Sequence, residues 1–527
     1  MLNTPRSRNG MVTSPHHLAS QTGLQVLRDG GNAVEAAVAI AATLAVVYPH
    51  MTGIGGDGFW LIAEPGQDPV AIDACGATGA AVSAGLYRGL PAIPQRGPLA
   101  ANSVAGTVSG WEAALKISAL WQAPLPLSRL LRDAIGYAED GFVVTASQHE
   151  LTAGKLAELA PVPGFAGTFL KDGAAPAEGS TMRLPALSRT LRHLAEEGLD
   201  SFYHGSLARA IAGDLTRAGS PLTADDLAAH AAQVKTPLTV GVTGARLFNM
   251  PPPTQGLSSL MILALFDRLG VTEAEGFAHI HGLVEATKQA FLVRDREVCD
   301  PAWMRQEAAS FLDANLLDEL AARIDPDKAL PWPTPPSGGD TVWLGAIDDH
   351  GRSVSMIQSI FFEFGSGVVL PESGITWQNR GCSFPLETSG PNGLEPRKKP
   401  FHTLNPAMAV FDDGRRMVYG TMGGEGQPQT QAAVFSRYGL FGAGLQAAVT
   451  APRWLLGRTW GEASTTLKLE NRIDPATVAA LRAAGHDVEI LADFTSTMGH
   501  AGAIVRHADG MLEGATDPRS DGAVAAW

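Results

Sequence analysis

The chain has 527 residues, 45% hydrophobic and 17% charged, with a formal net charge of −14. That length and apolar content support a large buried core and exclude a disordered chain, and the acidic balance argues against nucleic acid or an anionic membrane as partner. Three cysteines without CxxC spacing, Cys75, Cys299 and Cys382, argue against a disulfide framework or a zinc site and fit a reducing compartment. No apolar signal region precedes Met11, and the longest apolar run, 36–48, is too short to span a bilayer. A soluble, cytoplasmic protein is expected.

In chain order, a short strand is predicted over 11–14 and helices over 20–27 and 33–47, with Asn32 as the cap of the second. That second helix is apolar nearly all round and should be central to the fold. The loop 49–58 carries Gly53, Gly55, Gly56 and Gly58 and feeds a strand over 59–63. The order helix, glycines, strand is the reverse of a phosphate-cradling loop, so close backbone packing accounts for these glycines better. A strand follows over 70–74, then a small-residue loop into a helix over 111–121. Helices are predicted over 128–141 and 147–159, a loop over 160–185, and helices over 187–197, 206–218 and 223–232. Next come a strand over 240–249, a rigid proline loop over 250–256, and helices over 257–269, 279–298 and 308–324. The charges Glu285, Lys288, Arg294, Asp295, Arg296 and Glu297 read as a solvated face or as helix ion pairs.

A proline- and glycine-rich junction over 331–339 can be neither helix nor central strand. Beyond it strands dominate, at 342–347, 353–361, around 367–370, 407–411 and 416–420. Helices follow at 429–438, 445–450 and 475–485, and strands at 487–491 and 501–507. The strand-rich half alone would leave too much apolar sheet uncovered, so the two halves read as one unit. At the junction, Asp340-Thr341 opens a strand. Cleavage before Thr341 would give it a free α-amine beside its own hydroxyl, a nucleophile and base in one residue.

Many short motifs in order give the chain a family resemblance. They include Gly30-Gly31-Asn32-Ala33-Val34-Glu35-Ala36-Ala37, Gly53-Ile54-Gly55-Gly56-Asp57-Gly58-Phe59, Phe202-Tyr203-His204-Gly205 and Met250-Pro251-Pro252-Pro253-Thr254-Gln255-Gly256. Asp340-Thr341, Phe364-Gly365-Ser366-Gly367, Gly423-Gly424, Ala451-Pro452-Arg453 and Asp517-Pro518-Arg519-Ser520 continue the series. Nearly end to end, the sequence resembles the γ-glutamyltransferase family of N-terminal nucleophile hydrolases. The resemblance implies an α+β fold, a four-layer αββα sandwich with two stacked antiparallel sheets. It implies self-cleavage between Asp340 and Thr341 into a large subunit, 1–340, and a small one, 341–527. The two would stay associated as one catalytic domain and could pair into a dimer of αβ units.

By the same resemblance Thr341 is the nucleophile, Gly423 and Gly424 supply oxyanion donors, and Ser359 supports the nucleophile's amine and hydroxyl. Turn glycines and an ordinary strand serine are the plain alternatives. The departures carry more information. The family's substrate-carboxylate arginine is replaced by Cys75, and the aspartate that holds the α-ammonium by Ser383. The paired serines become His402-Thr403. Both halves of an α-amino-acid clamp are therefore missing, and Arg380 and His402 stand in the site instead. An arginine among small residues suggests a bidentate carboxylate contact. Arg380, His402, Thr403, Cys75 and Ser383 are thus the candidate substrate residues. The alternatives are an ion pair of Arg380 with Glu372 or Glu387, a satisfied core histidine at 402, and a small buried residue at 75.

The Arg380-Gly381, Pro400-Phe401-His402-Thr403-Leu404 and Trp454-to-Gly461 motifs resemble the branch that hydrolyses oxamate to oxalate and ammonia in ureide breakdown. The expected activity is hydrolysis of the amide of a small carboxylic acid, without cofactor or metal. A γ-glutamyl hydrolase or transpeptidase acting on glutathione-like substrates is the runner-up, and an uncleaved binding protein of the same fold the third reading. His16, His17 and His50 lack metal-ligand spacing, His279 and His281 fall on different helix faces, and Arg453 and Arg458 read as loop anchors.

Overall fold

Asp340–Ile347 lies inside a seven-stranded antiparallel sheet rather than at its edge. The computed structural model describes residues 3–332, 340–387, 390–457 and 464–527, with the backbone alone at Asp340. The loop 333–339 and Arg458 therefore lie outside the described residues. The strand order of this first sheet is Ala523–Ala526, Met11–Ser14, Asp340–Ile347, Ser353–Phe361, Asp57–Ala63, Val70–Ala74, Gln233–Lys235. The second sheet runs Arg6–Ser7, Leu512–Thr516, Ala501–Arg506, Arg416–Thr421, Ala407–Phe411, Ala245–Asn249, Leu238–Val242. Each mixes strands from before and after Thr341, so neither half of the chain completes a sheet alone.

Alternation along the strands assigns the layers. On Asp340–Ile347, Trp343 and Ile347 pack between the sheets, while Val342, Leu344 and Ala346 pack under the helices. Phe59, Leu61 and Ala63 also face the inter-sheet core, with Trp60 and Ile62 on the opposite side. The sheets close tightly around Trp343. A Cβ added to Gly420 or Gly502 of the facing sheet would fall 2.2 or 2.4 Å from the indole, and its Nε1 donates to Ser355 Oγ at 3.0 Å. Glycine is required there so that the sheets can approach around a large ring.

The helix Ala33–Val47 covers the first sheet and is buried at every residue. Burying each Val, Leu or Ile contributes about 1.5–3 kcal/mol, which explains a helix with no polar face. Its start is fixed by a capping box between Asn32 and Glu35, and Asp348 Oδ2 accepts from the Ala33 N–H at 3.1 Å. The turn after Asp340–Ile347 thus caps the central helix, as a carboxylate at a helix N-terminus should. Gly256–Arg268, Phe277–Glu297 and Gln427–Phe435 form the helical cover of the second sheet.

Several expected elements differ in detail. The strand expected over 240–249 is a hairpin, Leu238–Val242 and Ala245–Asn249, turning at Thr243-Gly244. The helix expected over 223–232 ends at Ala228, and Gln233–Lys235 becomes a strand pairing with Val70–Ala74. The helix expected over 308–324 is a 3-10 turn, Ala308–Leu312, and a helix Ala314–Ala321, because Asp313 caps a new start. Loop 160–185 contains a short helix, Phe165–Phe169, and around 367–370 there is a single bridge between Val369 and Thr376. On Phe277–Glu297, Glu285, Lys288 and Arg294 are buried rather than solvated. Glu285 pairs with Lys288 at 2.7 Å, and Arg294 with Glu425 at 2.9 Å.

Candidate active site

Thr341 sits where the strand ladder breaks. Asp340 pairs with Phe361 and Val342 with Gln358, so Thr341 alone faces both Ser359 and Ile360 in a β-bulge. Bulges re-aim side chains beside functional sites. Thr341 is 1% exposed, and its Oγ1 accepts a long 3.5 Å contact from Gln427 Nε2. Ser359 Oγ accepts the Phe361 N–H at 2.8 Å and so holds the backbone of the bulge. Phe361 has φ of +81°, a region that side chains with a Cβ rarely occupy and that clusters at functional sites. The glycines in front pack as expected: a Cβ on Gly55 would be 2.2 Å from the Thr376 carbonyl oxygen, and one on Gly56 1.9 Å from that of Ser359.

Gly423 and Gly424 form the turn between the strand Arg416–Thr421 and the helix Gln427–Phe435, with φ of +119° and +52°. Two successive left-handed residues need glycine. The turn is tied to the rest of the site by glutamines. Gln255 Nε2 donates to the carbonyls of Gly424, at 2.8 Å, and Thr403, at 2.9 Å. Gln427, which reaches Thr341, also accepts the Asn405 N–H at 3.3 Å. Beneath, Arg294 bridges Gln255 Oε1, at 3.1 Å, and Glu425.

Arg380 is 1% exposed. Its Nε donates to the Phe401 carbonyl at 3.0 Å, and both terminal nitrogens lie 3.4 Å from Thr403 Oγ1. Its guanidinium carbon stands 4.0 Å from the centre of the Phe361 ring. It makes no ion pair among the described residues; Glu372 pairs with Arg217 instead. Burial pulls Arg380 down to about 10 against the attraction of Asp57. It stays a cation at neutral pH, held by neutral oxygens and a ring face.

His402 packs edge-on to Phe59, and its Nε2 meets Asp57 Oδ2 at 2.9 Å. Asp57 Oδ1 accepts from the N–H groups of Gly76, at 3.0 Å, and Gly106, at 3.2 Å, and from Gln378 Nε2 at 3.1 Å. Burial still raises Asp57 to about 7, and it drives His402 well below its ordinary value with help from Arg380 and Lys399. His402 is therefore a neutral imidazole near neutral pH, and Asp57 keeps its proton until the pH approaches about 7. His402 Nδ1 is buried without a hydrogen-bond partner among the described residues.

The structure brings Cys75 to this pair. Its thiol, an Asp57 oxygen and a His402 nitrogen lie within 4.8 Å of one another. These three are the groups here that could ligate a metal, but Asp57 and His402 bond each other, and Arg380 and Lys399 oppose a further cation. Burial raises the Cys75 thiol well above its usual value, so it is no nucleophile at neutral pH. The Ser383 hydroxyl donates to the Arg380 carbonyl at 2.9 Å and closes the turn that carries the arginine.

Asp57, Gln255, Gln378 and Gln427 were not singled out from the sequence. Asp57 and Gln255 lie in the motifs of the family resemblance, Gln427 begins the helix after Gly423-Gly424, and the signal was a polar residue beginning a buried strand or helix. His279 and His281 do face apart, toward Ser436 and His486, and Arg453 ties the 498–499 backbone to Asp517.

The gamma-glutamyltranspeptidase family model matches residues 19–527. The chain is 56% identical over 522 residues to the oxamate amidohydrolase proenzyme of Klebsiella pneumoniae, covering 99% of both chains. It is 42% identical to the glutathione hydrolase-like YwrD proenzyme of Bacillus subtilis, covering 97% of both. Among solved structures, the cephalosporin acylase of Bacillus halodurans superposes with a TM-score of 0.92 at 32% identity, over 100% of this chain and 97% of that one. Two stacked antiparallel sheets between helices, a threonine at a bulge between them and a sequence match running from residue 19 to the last residue agree: the chain belongs to the gamma-glutamyltranspeptidase family.

Proposed function

We propose that this enzyme is a self-processing amide hydrolase that converts oxamate to oxalate and ammonia with Thr341 as nucleophile. The observation that carries the substrate class is the buried Arg380 guanidinium. It has no carboxylate partner among the described residues, and it stacks on Phe361 beside the Thr341 bulge. A buried cation whose hydrogen bonds go only to neutral oxygens is costly, and a substrate carboxylate supplies a contacting counter-charge in a bidentate geometry. The unpartnered His402 Nδ1 offers a second polar contact. A glutamyl substrate also brings an α-ammonium, and the Ser383 hydroxyl that stands in the aspartate's place is neutral and already bonded to a carbonyl. The name of the relative 56% identical to this chain points the same way.

Processing comes first. The Thr341 hydroxyl attacks the Asp340 carbonyl, the amide becomes an ester, and water hydrolyses it, leaving the α-amine of Thr341 free. Residues 1–340 and 341–527 stay together through the shared sheets. In turnover the amine takes the hydroxyl proton as Oγ1 attacks the oxamate amide carbon. The N–H groups of the Gly423-Gly424 turn stabilise the oxyanion. The leaving nitrogen takes that proton and departs as ammonia, and water activated by the amine hydrolyses the oxalyl ester to oxalate.

Ammonia release from oxamate, compared with glutathione hydrolysis by the same purified protein, tests the assignment. Oxamate is expected to be hydrolysed with the higher kcat/KM. Preference for glutathione would contradict the role given to Arg380.

A further inference from the structure

The ends of the two sheets remote from Thr341 concentrate a positive charge that the proposed reaction does not use. Thr341 begins its strand, and Gly351 lies in the turn beyond the other end, roughly 20 Å away at about 3.3 Å per residue. There a cavity of about 260 Å3 is lined by the 65–68 turn and Gly351 of the first sheet and by Arg246, Arg415, Arg416 and Arg506 of the second. Four arginines face one lining carboxylate, Asp68, in a chain whose net charge is −14.

Two of the four are neutralised. Arg246 forks onto Asp68 at 2.7 and 3.1 Å, and Arg415 pairs with Asp413 at 2.7 Å. The other two are not. Arg416 donates to neutral acceptors, the carbonyls of Glu64 at 2.8 Å and Gln67 at 3.1 Å. Arg506 has no side-chain hydrogen bond or ion pair among the described residues, and its guanidinium lies against Gly351, where an added Cβ would be 2.6 Å from Nε. Arg416 and Arg506 are directly opposite each other in the antiparallel register. Like charges at that position repel, and burial together with Arg506 holds Arg416 below its usual range.

An anion seated between them removes the repulsion. The cavity is smaller than the roughly 300–1,000 Å3 that drug-sized ligands fill, which favours a compact ion. We infer that this cavity binds a small polyvalent oxyanion of the phosphate or diphosphate class, clamped by Arg416 and Arg506 where the two sheets meet.

The test is calorimetric titration of the purified full chain with inorganic pyrophosphate at constant ionic strength set with chloride, repeated with a nucleoside diphosphate. Pyrophosphate is expected to bind one per chain and to raise the thermal unfolding midpoint. Arg506→Gln and Arg416→Gln are each expected to weaken it by at least about tenfold, the loss of a charge-assisted contact. Amide hydrolysis should be unchanged, because neither residue touches the Thr341 site. Without ligand, Arg506→Gln should unfold at a higher temperature than wild type. If it does not accumulate in folded form, Arg506→Lys, which keeps the charge and loses the fork, should still bind more weakly than wild type. No binding at millimolar pyrophosphate, equal affinity in the variants, or tighter binding of the nucleotide than of pyrophosphate would overturn the assignment.

Discussion

The guanidinium of Arg380 stacks 4.0 Å from the ring centre of Phe361, and Phe361 pairs across the ladder with Asp340. The cation is thereby fixed one residue from the bond that precedes Thr341. Its hydrogen bonds go to one carbonyl and one hydroxyl, so removing it orphans no carboxylate. Arg380→Met should therefore cost only about 2 kcal/mol of stability, from two acceptors that lose a donor. Its kcat/KM for oxamate should fall by about two orders of magnitude or more, and Arg380→Lys should fall nearly as far because the planar fork is lost. Steady-state kinetics beside thermal unfolding of each variant checks both statements; a variant that retains its kcat/KM would remove Arg380 from the substrate site.

The Asp57–His402 pair should leave a signature in stability against pH. The folded value of Asp57 is raised to about 7, so its contribution is full below the unfolded carboxylate value and is lost as pH rises toward 7. The folded value of His402 is depressed, so it binds a proton on unfolding and costs stability as pH falls below about 6.5. Between about pH 4 and 6.5 the two slopes cancel, because folded and unfolded chains each hold one proton on the pair. Asp57→Asn removes one slope and exposes the other. Relative to wild type, the variant should lose up to about 1.4 kcal/mol per pH unit on acidification below pH 6.5. Urea unfolding of both proteins at pH 5 and 7 reads this difference directly, and parallel behaviour would contradict a neutral buried His402.

Gly56 sets the approach of the glycine loop to the bulge. An added Cβ would lie 1.9 Å from the Ser359 carbonyl oxygen, a backbone atom that cannot swing aside. Gly56→Ala should destabilise the fold by about 3 kcal/mol and reduce activity even in the folded fraction, since Ser359 supports the bulge that carries Thr341. Denaturant unfolding with activity per folded molecule measures both. Unchanged values would mean that the loop is free to move away.

Cys75 should be inert in the folded protein. It is fully buried and burial opposes its thiolate, so a maleimide at pH 7 should label it only after unfolding. Peptide mapping after labelling native and denatured protein distinguishes this from an open pocket thiol.

Local chemistry made much of this readable in the sequence. The Asn32 cap and the all-apolar helix behind it have local causes and lie where expected, and Gly55 and Gly56 pack closely as expected, although against the distant Thr376 and Ser359 backbone. The pairing of Asp340-Thr341 with a strand start was equally legible. What was not legible arises from contacts distant in the chain. Asp57 meets His402 across 345 residues, and Gln255 joins two segments some 150 and 170 residues away. The Glu285–Lys288 pair is the helix ion pair that the spacing allowed, but the burial of Glu285 and Arg294 was hidden because Glu425 and the 330 backbone are supplied by remote or irregular chain. The Ser383 hydroxyl shows the opposite case: it bonds the carbonyl of a residue three positions earlier, a local turn contact that residue type alone did not reveal.

The most direct test of the central claim is the intact mass, under denaturing conditions, of purified wild type and Thr341→Ala. The expected result is two fragments, 1–340 and 341–527, from wild type and a single uncut chain from the variant, which should also release no ammonia from oxamate. A folded wild type that remains one chain, or a variant cut at the same bond, would contradict Thr341 as a self-generated N-terminal nucleophile.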